Sequence, residues 1–152
     1  MTNRIAAISP VSPPDAPSLE KKKPTVLIID DQMPMRLAFK MGFDFNGNFN
    51  VLEARNVLSA IEILENQEVD YVIADGFYDG IGGKLDDLVE GFSASGNKGA
   101  ELFVFTGAPD EISTDLLDSK GIKYEIVSKI KHSINEVIKK VEEKRKAAEA
   151  LS

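Results

Sequence analysis

Cysteine is absent from the 152 residues of this chain, and histidine occurs only once, as His132. The absence of cysteine excludes disulfides, thiolate metal sites, redox pairs and cysteine nucleophiles. A single histidine excludes zinc and iron centres that are built on several histidines. A serine–histidine hydrolase would have to use His132 itself.

Long apolar runs are also missing. No stretch approaches the roughly 20 apolar residues that a membrane-spanning helix requires. The apolar run nearest the N-terminus, Ile5-Ala6-Ala7-Ile8, is too short for a secretory signal peptide. We therefore expect a cytoplasmic protein that does not contact a membrane.

The net charge of −7 is distributed unevenly along the chain. Residues 25–128 carry seven basic and nineteen acidic side chains, a net charge of −12, whereas the segments 1–24 and 129–152 carry net charges of +2 and +3. An acidic body repels a polyanion, so nucleic-acid binding is not expected. It would attract a divalent cation wherever several carboxylates converge.

The composition divides the chain into three parts. Residues 1–24 contain five of the seven prolines and end in a lysine run, which predicts a disordered tail that cannot bury enough apolar surface to fold. Residues 25–141 form the predicted domain. Residues 142–146 are charged on nearly every side, so residues 142–152 are expected to form a solvated helical extension or a partner-docking arm.

Strands and helices are predicted to alternate five times after Pro24. Short apolar runs predict strands at 26–29, 50–54, 71–75, 102–107 and 124–127. Apolar residues at helical spacing predict helices at 33–45, 57–64, 85–92, 112–117 and 133–150, with Gly47 and Gly121 ending the first and the fourth and Asp110 capping the fourth. This alternation predicts an α/β fold with a doubly wound, five-stranded parallel sheet and helices on both faces.

Polar side chains follow four of these strands. Asp30 and Asp31 end the first strand, Asp75 the third, Thr106 the fourth, and Lys129 follows the fifth. Ligands of a doubly wound sheet bind beyond the carboxyl ends of its strands, so these five residues are expected to share one edge. Converging carboxylates repel one another, and Mg²⁺ with oxygen ligands offsets that repulsion. Mg²⁺, a lysine and a hydroxyl together stabilise a phosphoryl group during its transfer.

Each of these residues also has an ordinary structural role. A single aspartate after a strand is usually a helix cap, and a single lysine is usually a solvated charge. The argument therefore depends on all five lying at one edge. The chain lacks two other phosphate-binding motifs. Gly82-Gly83-Lys84 is not a P-loop, because Leu85 follows the lysine, and no dinucleotide-binding G-x-G-x-x-G follows the first strand.

The first strand, Val26 to Asp31 with Arg36 five residues later, resembles that of two-component response-regulator receiver domains. The spacings between the polar residues agree with those of receiver domains over about residues 25–140. Asp75 lies 44 residues after Asp31, Thr106 lies 31 residues after Asp75, and Lys129 lies 23 residues after Thr106. The resemblance implies a flavodoxin-like fold with Asp75 as the phosphoacceptor. It further implies that Asp30, Asp31, Asp75 and the Phe77 carbonyl hold Mg²⁺, and that Thr106 and Lys129 contact the phosphoryl group.

The chain departs from the receiver pattern at three places. A glycine-rich loop, residues 76–83, replaces the usual Met-Pro after the phosphoacceptor. Ile130 replaces the proline that usually follows the lysine, and Ile126 replaces the aromatic residue that usually lies three positions before the lysine, Lys129. These departures leave the phosphorylation chemistry in place but remove the usual threonine–aromatic relay.

We expect a stand-alone, non-enzymatic receiver that takes a phosphoryl group from a histidine kinase or a histidine phosphotransfer protein. Only 23 residues follow Lys129, so output is expected through contacts of the fourth helix, fifth strand and last helix with a downstream protein. The main alternative is a receiver-shaped adaptor (a pseudo-receiver) that binds partners without phosphorylation. A third candidate is a Mg²⁺-dependent phosphatase with an aspartyl nucleophile, although Asp30 is followed by Asp31-Gln32 instead of the expected Asp-x-Asp.

Overall fold

A computed structural model describes residues 22–75, 84–97 and 99–151. The strands are β1 (Thr25–Ile29), β2 (Asn50–Ala54), β3 (Tyr71–Asp75), β4 (Glu101–Thr106) and β5 (Lys123–Ser128). The helices are α1 (Met33–Asn46), α2 (Val57–Asn66), α3 (Lys84–Ala94), α4 (Asp115–Lys120) and α5 (Ile134–Leu151), with a 3₁₀ turn at Pro109–Glu111. The alternation of strands and helices is confirmed.

The five strands form one parallel sheet in the order β2-β1-β3-β4-β5. The chain moves outward from β1 to β2 and then returns past β1 to β3, so the order reverses between β1 and β3. That reversal is the switch point at which open α/β sheets bind their ligands. The predicted doubly wound five-stranded sheet is therefore confirmed, and its candidate site lies between the carboxyl ends of β1 and β3.

Helices cover both faces of the sheet. Phe39 and Phe43 of α1 pack with Val137, Ile138 and Val141 of α5 on one face. Buried residues of α2, α3 and α4 pack on the other face. Strands β1 and β3 are consequently buried on both sides, which is why their sequences are apolar without alternation.

The orientation of α1 could not be predicted from its apolar spacing. The spacing of Leu37, Met41 and Phe45 correctly indicates a helix, yet these three side chains are exposed. The residues that α1 buries are Phe39 and Phe43. Helix α1 is apolar on two sides, and the sheet accepts the side that carries the two aromatic rings.

The predicted helix ends are correct at two glycines, and one predicted helix start is wrong. Gly47 and Gly121 both have positive φ, 80° and 69°, and end α1 and α4 in the left-handed conformation that glycine adopts without strain. Asp110 was expected to cap the fourth helix but lies in the 3₁₀ turn. Ile112 then takes an extended conformation, so α4 starts only after Thr114.

The last residues of the predicted tail contact the domain. Lys22 Nζ lies 2.9 Å from Glu68 Oε1, and the Pro24 carbonyl accepts a hydrogen bond of 2.9 Å from the Asn50 N–H. The Lys22–Glu68 pair is well exposed and contributes little stability. Residues 1–21 lie outside the part of the chain that the structure describes. None of the helices described is long and apolar enough to cross a membrane.

Helix α5 remains in contact with the domain beyond Val141. Asn48 Nδ2 donates to Glu142, Arg145 forms a two-pronged pair with Glu142, and Lys144 lies 3.3 Å from Glu101. The side chain of Arg145 is only 16% exposed. The charge pattern predicts a solvated extension from residue 142, but these contacts hold its first turn against the domain.

Truncation of α5 tests how much these contacts contribute to the free energy of unfolding. Removal of residues 142–152 is expected to lower the free energy of unfolding by about 1–3 kcal/mol, since packing of the Arg145 stem is lost and Val141 is left in a frayed turn. Removal of residues 147–152 is expected to change it by less than about 0.5 kcal/mol. Urea unfolding of the two truncated chains checks this, and equal stabilities would show that the turn carrying Glu142 and Arg145 contributes nothing.

Candidate functional site

The sheet brings four of the predicted site residues to its carboxyl edge. Asp30 follows β1, Asp75 is the last residue of β3, Thr106 is the last residue of β4, and Lys129 follows β5. Asp30 is 2% exposed, and Asp75 and Thr106 have no exposed surface. Aspartate is rarely buried unless it is paired, so this edge is a chemically unusual place in the molecule.

Lys129 and Asp75 form an ion pair across the edge. Lys129 Nζ contacts Asp75 Oδ1, and the lysine side chain keeps 34% of its surface exposed while the carboxylate keeps none. The backbone N–H of Lys129 donates to the Thr106 carbonyl over 2.8 Å, which fixes the start of the lysine segment against β4. The ammonium therefore offsets the charge of a carboxylate that is shielded from water.

The buried carboxyl of Asp30 lies close to that of Asp75. The pKa of Asp30 is raised to about 8, with burial as the largest cause and the neighbouring Asp75 carboxyl as the next, while a hydrogen bond from the Gln32 N–H lowers it. The Gln32 N–H donates to Asp30 Oδ1 over 2.7 Å. The proton that this raised pKa keeps on Asp30 relieves the repulsion between the two carboxyls, as a bound cation would.

The donor set at this edge fits a hard divalent cation. Mg²⁺ typically uses one or two carboxylates and completes its shell with water and phosphate oxygens. Asp30 and Asp75 supply two carboxylates, and Asp31 is exposed beside them and also raises the pKa of Asp30. Within residues 22–75, 84–97 and 99–151 no group of three or more acid or imidazole side chains is arranged to hold a metal. The Phe77 carbonyl and the loop 76–83 lie outside the described residues.

Arg36 fixes the end of β1. Its Nη1 donates to the Asp30 carbonyl over 2.8 Å, and its Nε lies 3.4 Å from Glu53 of β2. The side chain is 16% exposed. Arg36 thus ties α1, the end of β1 and the neighbouring strand together immediately behind the acidic pair, a function that its position in the sequence does not reveal.

Thr106 forms the turn after β4. Its Oγ1 accepts a hydrogen bond of 2.9 Å from the Ala108 N–H. This is the ordinary turn role that a threonine takes after a strand. A hydroxyl that accepts one bond can still donate its own proton, so the same group can serve an oxygen of a bound phosphoryl group.

An aromatic contact that the sequence reading missed connects the site to α1. Lys129 Nζ lies 5.5 Å from the centre of the Phe105 ring, within reach of a cation–π interaction. Phe105 meets Phe39 of α1 edge to face, with ring centres 6.0 Å apart. Ile126, at the position expected to carry the aromatic residue, packs on the opposite face of the sheet.

Comparisons with known proteins give structural matches only. No family model matches the chain, and no curated protein does. The CheY-like receiver domain protein of Methanospirillum hungatei is 16% identical with a TM-score of 0.67, over 86% of this chain and all of that one. A response regulator of Thermotoga maritima is 20% identical with a TM-score of 0.60, over 80% and 97%. One from Burkholderia pseudomallei, determined with a phosphorylated aspartic acid, calcium and citrate, is 16% identical with a TM-score of 0.58, over 85% and 74%.

These matches cover four fifths or more of the chain, although identity is low throughout. The structure and its neighbours therefore show that this chain has the fold of a response-regulator receiver domain.

Proposed function

We propose that this protein is a response-regulator receiver that accepts a phosphoryl group on Asp75 from a phosphohistidine. The observation that supports this most strongly is the buried Asp75 carboxylate at the switch point of the sheet, paired with Lys129 and close to the buried Asp30. The similar Burkholderia pseudomallei protein carries a phosphorylated aspartic acid together with a calcium ion. Phosphorylation of an aspartate in a protein of this fold supports the same chemistry at Asp75.

The proposed phosphoryl transfer is a displacement at phosphorus, in which one bond forms and one breaks. A carboxylate oxygen of Asp75 attacks phosphorus, an O–P bond forms, and the N–P bond of the phosphohistidine breaks. The imidazole nitrogen keeps the electron pair of that bond and remains on the donor protein. The product is an acyl phosphate on Asp75.

The other side chains of the site stabilise the phosphoryl group during the transfer. The Lys129 ammonium moves from the carboxylate to a phosphoryl oxygen, whose charge it offsets, and the Thr106 hydroxyl donates to another. Asp30 and Asp75 would hold Mg²⁺, with Asp31 acting through water and the Phe77 carbonyl as a further ligand. When bound, the ion neutralises charge on the phosphoryl oxygens.

The proposal also states the partners and the compartment. The donor is a histidine kinase or a histidine phosphotransfer protein, and the output is a contact with a downstream protein, without enzymatic turnover by this chain. The acidic body disfavours nucleic acid as a partner. A cytoplasmic location follows from the donor, since these proteins present their phosphohistidine in the cytoplasm.

A receiver-shaped adaptor without phosphorylation is the second candidate. The complete burial of Asp75 favours it, since a donor reaches this carboxylate only after neighbouring groups move. The absence of an aromatic residue at position 126 points the same way. The two candidates make opposite predictions about covalent modification of the wild-type chain.

Phosphoryl uptake from a small donor separates them. The wild-type chain is incubated with an acyl phosphate or a phosphoramidate, with Mg²⁺ or with a chelator, and its intact mass is measured. The receiver proposal predicts the addition of one phosphoryl group that requires Mg²⁺ and is removed by hydroxylamine. An unchanged mass with small donors and with a phosphorylated histidine phosphotransfer protein would establish the adaptor.

The contact between Lys129 and Phe105 predicts an unusual route for the structural response. When the ammonium turns to a phosphoryl oxygen, its interaction with the Phe105 ring changes, and Phe105 rests on Phe39 of α1. We expect phosphorylation to alter amide hydrogen exchange in α1 in the wild type and to leave it nearly unchanged in Phe105→Leu. Phe103→Leu is the matched control, because Phe103 is buried in the same cluster and the same strand. Equal responses in the two variants would exclude this route.

A further inference from the structure

Asp30, the residue that follows β1, is held by three hydrogen bonds. Its N–H donates to the Ala54 carbonyl over 3.0 Å, and its Oδ1 accepts from the Gln32 N–H over 2.7 Å. Its carbonyl accepts from Arg36 Nη1 over 2.8 Å. The bond from Arg36 is the one that a substitution can remove, because the partners of the other two bonds belong to the backbone.

The Asp30 carbonyl belongs to the peptide unit that joins Asp30 to Asp31. A peptide unit is planar, so a hydrogen bond that fixes the direction of its carbonyl also fixes the plane that holds both Cα atoms. The side chain of Asp30 is buried and that of Asp31 is exposed. Through this one bond, Arg36 therefore acts on the directions of both neighbouring carboxylates.

Glu53 of β2 holds the guanidinium of Arg36 in this position. Its Oε1 lies 3.4 Å from Arg36 Nε, and the Arg36 side chain is only 16% exposed. One planar group thus spans a carbonyl and a carboxylate, which the guanidinium can do because its N–H groups point in fixed directions. The ammonium of a lysine carries the same charge, but its donors are concentrated on one atom. A lysine at position 36 therefore keeps the charge and loses the two-pronged geometry.

We propose that Arg36 is a positioning residue for Mg²⁺, acting through the peptide unit of Asp30 and Asp31. This inference rests on the proposed function, which assigns Mg²⁺ to these carboxylates. Groups that orient metal ligands without touching the metal typically contribute roughly ten- to a hundredfold to metal affinity. Asp75 and Lys129 are placed by other strands, so Arg36 sets the affinity for Mg²⁺ and not the rate of transfer once Mg²⁺ is bound.

The affinity of the Arg36→Lys chain for Mg²⁺ tests the proposal without any phosphoryl donor. Titration calorimetry of the full chain with magnesium chloride is expected to give a dissociation constant about tenfold above that of the wild type. Arg145→Lys is the matched control, because Arg145 is also 16% exposed and forms a two-pronged pair, with Glu142. Glu142 contacts Asn48 ahead of β2, so this pair lies at the opposite edge of the sheet. The control should bind Mg²⁺ within about twofold of the wild type, since distant sites act independently.

Glu53→Gln separates geometry from charge. The amide oxygen that it introduces can still accept from Arg36 Nε, so the geometry is kept while one negative charge is lost. The Glu53 side chain is 34% exposed, and salt screens the loss of its charge. Positioning therefore predicts that Arg36→Lys, which keeps every charge, weakens Mg²⁺ binding more than Glu53→Gln does. The opposite order would show that the pair acts through its charge and would overturn the proposal.

The Mg²⁺ dependence of phosphoryl uptake gives a second readout. The Arg36→Lys chain is expected to need about tenfold more Mg²⁺ for half of its maximal rate and to reach a maximal rate within about twofold of the wild type. A general disturbance of the site would lower the maximal rate instead and would count against positioning. Urea unfolding of each variant confirms that the fold is retained.

The outcomes separate this inference from the proposed function. A wild-type chain that binds no Mg²⁺ at millimolar concentration, or an Arg36→Lys chain that binds it as tightly as the wild type, would overturn the role of Arg36. A wild type that binds Mg²⁺ but takes up no phosphoryl group would refute the proposed function alone. The calorimetric order of Arg36→Lys, Glu53→Gln and Arg145→Lys would still decide whether Arg36 positions the carboxylates.

Discussion

An asparagine at position 75 is expected to abolish phosphoryl uptake from both small donors and a phosphohistidine protein. The attacking group is a carboxylate oxygen, and the amide of asparagine is a far poorer nucleophile of nearly the same size. The change removes the partner of Lys129 but adds no volume to the buried site. We expect the labelled fraction to fall below detection, measured as intact mass before and after treatment with hydroxylamine.

Asp87→Asn is the matched control for this substitution. Asp87 lies on α3 and is exposed, so the same chemical change there leaves the carboxyl edge of the sheet untouched. The control should take up one phosphoryl group at the wild-type rate. Continued uptake by the Asp75→Asn chain would show that a different residue is modified and would remove the basis of the proposed mechanism.

The second large effect is a fall in stability of the metal-free protein as the pH rises. Burial and the neighbouring Asp75 raise the pKa of Asp30 to about 8, well above its value in the unfolded chain. The folded state therefore binds more protons than the unfolded state between the two pKa values, and stability falls as the pH rises through this window. At about 1.4 kcal/mol for each pKa unit, we expect a loss of about 2–4 kcal/mol between pH 5 and pH 8.

Urea unfolding in the presence of a chelator measures this slope. Asp30→Asn should flatten it, because the amide does not ionise, and should make the metal-free chain more stable than the wild type at pH 8. Millimolar Mg²⁺ should reduce the slope in the wild type only, since the cation takes the place of the proton on Asp30. A wild type whose stability is level from pH 5 to pH 8 without metal would mean that the pKa of Asp30 is not raised in the folded chain.

Much of the fold could be predicted because the strands are short and apolar throughout. The bounds of β2 and β3 are those expected, and the parallel order follows from the alternation of strands and helices. The start of α4 could not be predicted, because Asp110 is a good cap and only the extended backbone at Ile112 shows that no helix begins there. Helix α1 has apolar residues on two sides, and spacing alone does not decide which side the sheet accepts.

The residues of the site that follow directly from the positions of the strand ends could be predicted. Asp30, Asp75, Thr106 and Lys129 could be placed at one edge from their positions after the strands, and the structure places them there. The contacts of Arg36 with the Asp30 carbonyl and of Phe105 with Lys129 could not be predicted, because they depend on the reach and direction of side chains. The roles of these residues in phosphoryl transfer stay predictions.

The central claim is that Asp75 carries the phosphoryl group, and chemical mapping of the modified residue tests it most directly. The wild-type chain is treated with a small phosphodonor and Mg²⁺, reduced with borohydride, which converts an acyl phosphate on aspartate to homoserine, and digested for peptide mass analysis. Our account predicts homoserine at position 75 and at no other aspartate. Reduction at a different residue, or none at all in a chain that binds Mg²⁺, would contradict it.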